Sequence, residues 1–106
     1  MLKRKTIEEL ISEFKDESAK IKDKNFHAIK MKIGMGPKKD IKLVQAVRES
    51  IGDDIKLMVD ANHTYTSAEA FYVGRALEEY NVYWFEEPIA PEDYDGYKEL
   101  KTNLKI

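Results

Sequence analysis

Two hydrophobic periodicities alternate along the chain. Between Thr6 and Asn25, Ile7, Leu10, Ile11, Phe14 and Ile21 recur at helical spacing. Thr6 and Glu9 form a capping box ahead of them, and Asn25 offers a stop. From Phe26 to Gly34 the period falls to two. Ile29, Met31 and Ile33 share one face of a strand, and Ala28, Lys30 and Lys32 share the other. After the loop "GMGPKKD", the pattern predicts a second helix from about Pro37 to Ile51, with Ile41, Val44, Val47 and Ile51 inward and Gly52 just past its end. "IKLMVDAN" is a second strand, with Ile55, Leu57 and Val59 on one face and Lys56, Met58, Asp60 and Asn62 on the other.

After "HTYTS", Thr66 and Glu69 cap a third helix over about Ser67 to Tyr80, with Ala70, Val73, Leu77 and Tyr80 inward. "VYWFEEP" is a third strand. Alternation puts Val82, Trp84 and Glu86 on one face and Tyr83, Phe85 and Glu87 on the other, and Pro88 ends pairing. A last helix from about Pro91 to Asn103 is weakened by Gly96.

Strands alternating with helices imply α/β architecture, a parallel sheet and right-handed crossovers. The strand–helix unit recurs about every 26 to 30 residues, and no low-complexity linker divides the chain. A doubly wound sheet, covered on both faces, would bury Lys30 and Lys32 under a helix, at a cost of several kcal/mol per unpaired ion. A (β/α)8 barrel leaves the inner, C-terminal strand ends free to be polar. The charges at Lys30 and Lys32, Asp60 and Glu86 favour the barrel. Such a barrel takes about 250 residues, so 106 residues supply three parallel strands and four helices of a partial one.

Composition narrows the function classes. Hydrophobic residues make up 42% of the chain, enough for a folded domain. A net charge of −2 leaves no nucleic-acid footprint. The absence of cysteine removes disulfides and thiolate metal sites. No apolar run approaches a membrane span and no signal-peptide pattern opens the chain, so the expectation is a cytoplasmic protein with no membrane partner.

Each candidate group has a bland reading beside the functional one. Lys-x-Lys recurs at Lys3 and Lys5, and at Lys20, Lys22 and Lys24, where it marks solvated surface. Lys30 and Lys32 differ by lying between apolar strand residues. Glu86 differs from the helix-surface pairs Glu8-Glu9 and Glu78-Glu79 by ending an aromatic strand. Asp60, on the neighbouring strand, is a turn cap in the bland reading. Together with Glu86 it has the spacing of oxygen ligands for a hard cation such as Mg²⁺. His63 reads as a loop residue rather than a ligand, His27 has no role, and Trp84 and its tyrosines read as core. "GMGPKK" is not a phosphate-binding loop.

"AIKMKIG", "LMVDAN" and "YWFEEP", in that order and spacing, resemble the mandelate racemase/muconate lactonizing enzyme branch of the enolase superfamily. "DIKLVQAVRESIGDD" and "PEDYDGYKEL" resemble intervening helices of its barrel. The resemblance implies that residues 1–106 form one domain covering roughly strands two to four of that barrel. It implies that Lys32 is the general base, with Lys30 beside it and near the substrate carboxylate. It implies that Asp60 and Glu86 ligate Mg²⁺ and that Asn62 lines the substrate side. Placing Lys30 beside Lys32, in a partly dry cavity near Mg²⁺, is expected to favour the neutral form of the base. The implied reaction is Mg²⁺-dependent proton abstraction beside a carboxylate, in a sugar-acid dehydratase or a hydroxy-acid racemase. A third acidic ligand, the later catalytic residues and a capping domain belong to the family and have no counterpart among these residues.

The chain alone is therefore expected to hold Mg²⁺ weakly and to be inactive. Two other readings compete. One is a truncated or split-gene product that self-associates or needs a complementing barrel chain. The other is a small doubly wound binding or signalling domain with Asp60 as a pocket residue.

Overall fold

A computed structural model of the chain describes residues 6–24 and 26–106. Seven elements occur in the order α1 (Ile7–Asp23), β1 (Ala28–Lys32), α2 (Pro37–Ile51), β2 (Lys56–Asp60), α3 (Ser67–Glu79), β3 (Val82–Glu86) and α4 (Tyr94–Asn103). The order is the one the two periodicities predict. The stop expected at Asn25 lies outside the described residues.

Local chemistry sets the helix ends. At α1 the Thr6 hydroxyl accepts from the Glu9 N–H at 3.1 Å. At α3 the box is reciprocal: Thr66 Oγ1 accepts from the Glu69 N–H at 3.2 Å, and the Glu69 carboxylate accepts from the Thr66 N–H at 2.9 Å. Helix α4 starts three residues later than the pattern suggests, because Asp93 caps it, accepting from the Gly96 N–H at 2.9 Å. Gly96 is required by that cap. A Cβ there would lie 2.6 Å from both Asp93 Oδ2 and Ile89 Cδ1.

The strands pair in parallel in the order β1-β2-β3. Met31, Leu57 and Val59 point to one face and are buried with Leu43, Val44, Val47 and Ile51 of α2 and Ala70, Val73 and Leu77 of α3. On the other face Lys30, Lys32, Lys56 and Trp84 are exposed. Helices thus cover one side of the sheet, as outer helices cover a barrel strand, and the doubly wound alternative is removed. No helix among the described residues is long and apolar enough to cross a membrane.

Strand β3 departs from the simple alternation. Leu57 pairs with Val82, but the next residue of β2, Met58, pairs with Trp84. Tyr83 is an extra residue on β3, a bulge that reverses the facing of the residues after it. Val82 therefore faces the helices with Leu57, while Trp84 joins Glu86 on the open face. The expectation that Val82 and Trp84 share a face is wrong for this reason. The expectation that Trp84 and its neighbouring tyrosine are core fails with it: Trp84 is 55% and Tyr83 60% exposed. Tyr83 instead packs its ring under Lys56 Nζ, 4.6 Å from the centroid.

Arg48 ties together the N-terminal ends of β2 and β3. It is 7% exposed and all its hydrogen bonds go to backbone carbonyls: Gly52 at 2.9 Å and Ile55 at 2.7 Å ahead of β2, Tyr80 and Asn81 at 2.8 Å each ahead of β3. Burial lowers its pKa from the ordinary value. Arg48→Met keeps the stem but strands these carbonyls, and each carbonyl left without a partner costs about 1–3 kcal/mol. The expected result is a clear fall in the urea midpoint. An unchanged midpoint would show that water satisfies the carbonyls instead.

Candidate active site

The C-terminal ends of the three strands bring the charged residues into one row. Lys32 is the register partner of Asp60, and Asp60 of Glu86. One step earlier lies a second row, Lys30, Met58 and Trp84. Side chains of both rows point to the open face, since their neighbours Met31, Val59 and Phe85 point toward the helices.

Backbone pairing continues past the strands and holds the row in place. Ile33 N–H donates to the Asp60 carbonyl at 2.9 Å, Ala61 N–H to Glu86 at 3.0 Å, His63 N–H to Glu87 at 2.6 Å and Tyr65 N–H to Pro88 at 3.1 Å. To make these bonds, Asn62, His63 and Glu87 adopt left-handed backbone, with φ of 48°, 63° and 49°. Asp60 is 7% exposed, and its Oδ1 accepts from the Asn62 N–H at 2.9 Å. Asn62 itself is exposed at the head of the loop after β2. His63 faces Glu87 at 3.2 Å through Nε2 and the Ile89 carbonyl at 2.7 Å through Nδ1. It fastens the β2–α3 loop to the β3–α4 loop, in keeping with its reading as a loop residue.

Lys30 does not stand unpaired beside Lys32. Its Nζ reaches diagonally across β2 to Glu86 Oε2 at 3.0 Å. The hydrogen bond to Glu86 raises the Lys30 pKa, the charge of Glu86 adds to it, and desolvation opposes both. Asp60 and Glu87 raise it further. These carboxylates favour the ammonium form of Lys30.

Asp40, to which none of the three strand motifs points, organises the loop after Lys32. Its carboxylate is fully buried and accepts from the N–H groups of Gly34, Met35 and Gly36 at 3.1, 3.0 and 3.2 Å, and from the Tyr65 hydroxyl. Gly34 has φ 133°, and a Cβ there would lie 2.8 Å from Thr64 Oγ1. One buried acid thus joins the β1–α2 loop to the β2–α3 loop. A signal was available: Asp40 lies three, four and seven residues before Leu43, Val44 and Val47, on the helix face otherwise given to the core. Arg48, three residues before Ile51, carries the same signal.

Asp60 and Glu86 offer carboxylate oxygens on adjacent strands, the donor type that Mg²⁺ takes. Among the described residues no third His, Cys, Asp or Glu joins them in a ligand set. The donor chemistry fits part of a hard-cation site.

The family model described as "Enolase C-terminal domain-like" matches residues 13–106, and the chain belongs to that family. It is 42% identical over 96 residues to D-galactarolactone cycloisomerase of Agrobacterium fabrum, covering 91% of this chain and 25% of that protein. The crystal structure of the 3,6-anhydro-D-galactonate cycloisomerase from Zobellia galactanivorans superimposes with a TM-score of 0.88 at 44% identity, over 92% of this chain and 28% of that one. D-glucarate dehydratase from Agrobacterium tumefaciens, complexed with magnesium, gives a TM-score of 0.85 at 33% identity, over 91% of this chain and 27% of its own. The chain spans about a quarter of the length of the curated relatives it matches.

The Asp40–Tyr65 bond has a pH signature. Burial and the Asp40 carboxylate raise the Tyr65 pKa far above that of a free tyrosine. Tyrosine is neutral when protonated, so this stabilisation is whole below the unfolded pKa of about 10 and is lost as the pH rises above it. Urea unfolding between pH 8 and 11 is expected to show stability declining above pH about 10, with a shallower decline in Tyr65→Phe. Equal slopes would mean that Tyr65 ionises as freely folded as unfolded.

Proposed function

We propose that this chain is the part of an acid-sugar-transforming enzyme that holds the general base and two of the metal ligands. It corresponds to about strands two to four of the family's barrel. The observation that carries this reading is the register row of Lys32, Asp60 and Glu86 at the C-terminal strand ends, the end where barrel enzymes place their chemistry. Lys32 takes the proton from the carbon beside the substrate carboxylate. Lys30, one turn of the pleat away on the same face, offers its ammonium to that carboxylate, and Asn62 lines the substrate side. Asp60 and Glu86 would hold Mg²⁺. When bound, the ion supplies positive charge against the negative charge that develops on the carboxylate. Magnesium in D-glucarate dehydratase, and acid-sugar or lactone chemistry in the relatives' names, support this choice of cofactor and substrate class.

Two carboxylates hold Mg²⁺ weakly, and the open sheet face leaves a substrate in water. The activity therefore belongs to a closed barrel, whose remaining strands come from the same polypeptide or a complementing one. The exposure of Trp84 and Tyr83 on the sheet favours such completion, by a complementing chain or by self-association.

The test is a chimera in which residues 13–106 replace the matching segment of D-galactarolactone cycloisomerase. It is expected to exchange the α-proton of an acid-sugar substrate for deuterium with Mg²⁺ present. Lys32→Ala in the chimera should lower exchange at least about 100-fold, the scale of a lost general base. The isolated chain should show no exchange. A folded, Mg²⁺-binding chimera that exchanges equally well with and without Lys32 would overturn the assignment.

A further inference from the structure

We propose that Lys30 is a built-in counter-cation of the Asp60–Glu86 pair, which an incoming metal ion must displace from Glu86. The inference rests on the reading of those two acids as metal ligands and adds a competitor to it. Three observations carry it. Lys30 Nζ sits 3.0 Å from Glu86 Oε2, the carboxylate that would bind the ion. Lys32, in the same row as both acids and on the same strand face, makes no ion pair with either. Lys30 is held there by geometry, since its row lies one step below Glu86 and its long stem spans the intervening Met58 position.

A cation and an ammonium cannot share one carboxylate oxygen without repulsion, so each weakens the other's hold on Glu86. Metal binding then frees a lysine ammonium on the open face, where a carboxylate substrate would meet it. Ion and substrate are coupled through one side chain: the ion releases the group that recognises the substrate. In the metal-free chain the same ion pair neutralises Glu86 and holds its side chain near the row.

Titration of the isolated chain with Mn²⁺, following free Mn²⁺ by electron paramagnetic resonance, tests this without any catalytic readout. Lys30→Met and Lys30→Gln are compared with the wild type and with Lys32→Met, all checked for an unchanged circular dichroism spectrum. Removing Lys30 is expected to tighten Mn²⁺ binding about three- to fivefold, the range of a part-exposed ion pair. Lys32→Met should change it less than about twofold by the same measure. Asp60→Asn in the Lys30→Met background should abolish the gain. Equal tightening by Lys30→Met and Lys32→Met, or none by either, would overturn the proposal while leaving the ligand reading intact. If Mn²⁺ binding is absent throughout, or indifferent to Asp60 and Glu86, the ligand reading fails and this one falls with it.

Discussion

The buried carboxylate of Asp40 is the constraint on which the candidate site depends. A fully buried acid is tolerable only if its oxygens are occupied, and here three backbone N–H groups and a phenol occupy them. Those donors come from the segments that leave β1 and β2. The loop after Lys32 and the loop after Asp60 are therefore set relative to one another by a side chain from neither strand. Arg48 does the reverse at the other end of the sheet: a buried cation satisfied by four carbonyls of the chain entering β2 and β3. Both charges project from α2, two turns apart, so this helix clamps the sheet at top and bottom.

The open face has a different logic. Nothing among the described residues covers it, and its charges are arranged by register alone. Asp60 and Glu86 are neighbours because β2 and β3 are parallel and adjacent. Without the Tyr83 bulge, pairing continued from Leu57 and Val82 would set Phe85 beside Asp60, and Glu86 would face the helices. A single extra residue in one strand thus decides whether two carboxylates meet. The same bulge turns Trp84 outward, onto the open face.

Much of the fold was legible in one dimension. The capping box at Thr66, the proline and glycine that bracket α2, and the alternation in β1 and β2 are local signals, and each element lies where its signal places it. The bulge was not legible: its cause is pairing with β2, and alternation within "VYWFEEP" has no knowledge of a partner strand. Asp40 and Arg48 were visible as charges on an apolar helix face, but their partners lie up to 33 residues away and, apart from the Tyr65 hydroxyl, are backbone groups, which carry no sequence signature. The lysines show the same limit. Spacing placed Lys30 and Lys32 on one face, and only the crossing to Glu86 distinguishes an ion-paired residue from its neighbour.

The sequence by itself determined the order of elements, the parallel sheet, the covered and open faces of β1 and β2, and the family whose three motifs lie at the strand ends. These rest on periodicity and residue chemistry within a few positions of each other. Tertiary structure alone decided which charges are paired, which aromatics are exposed and where the buried ions find their partners. The physical reason is range: a helix cap or an alternating face is set by neighbours in the chain, whereas hydrogen bonds and ion pairs across strands depend on register, and register is a property of two segments at once.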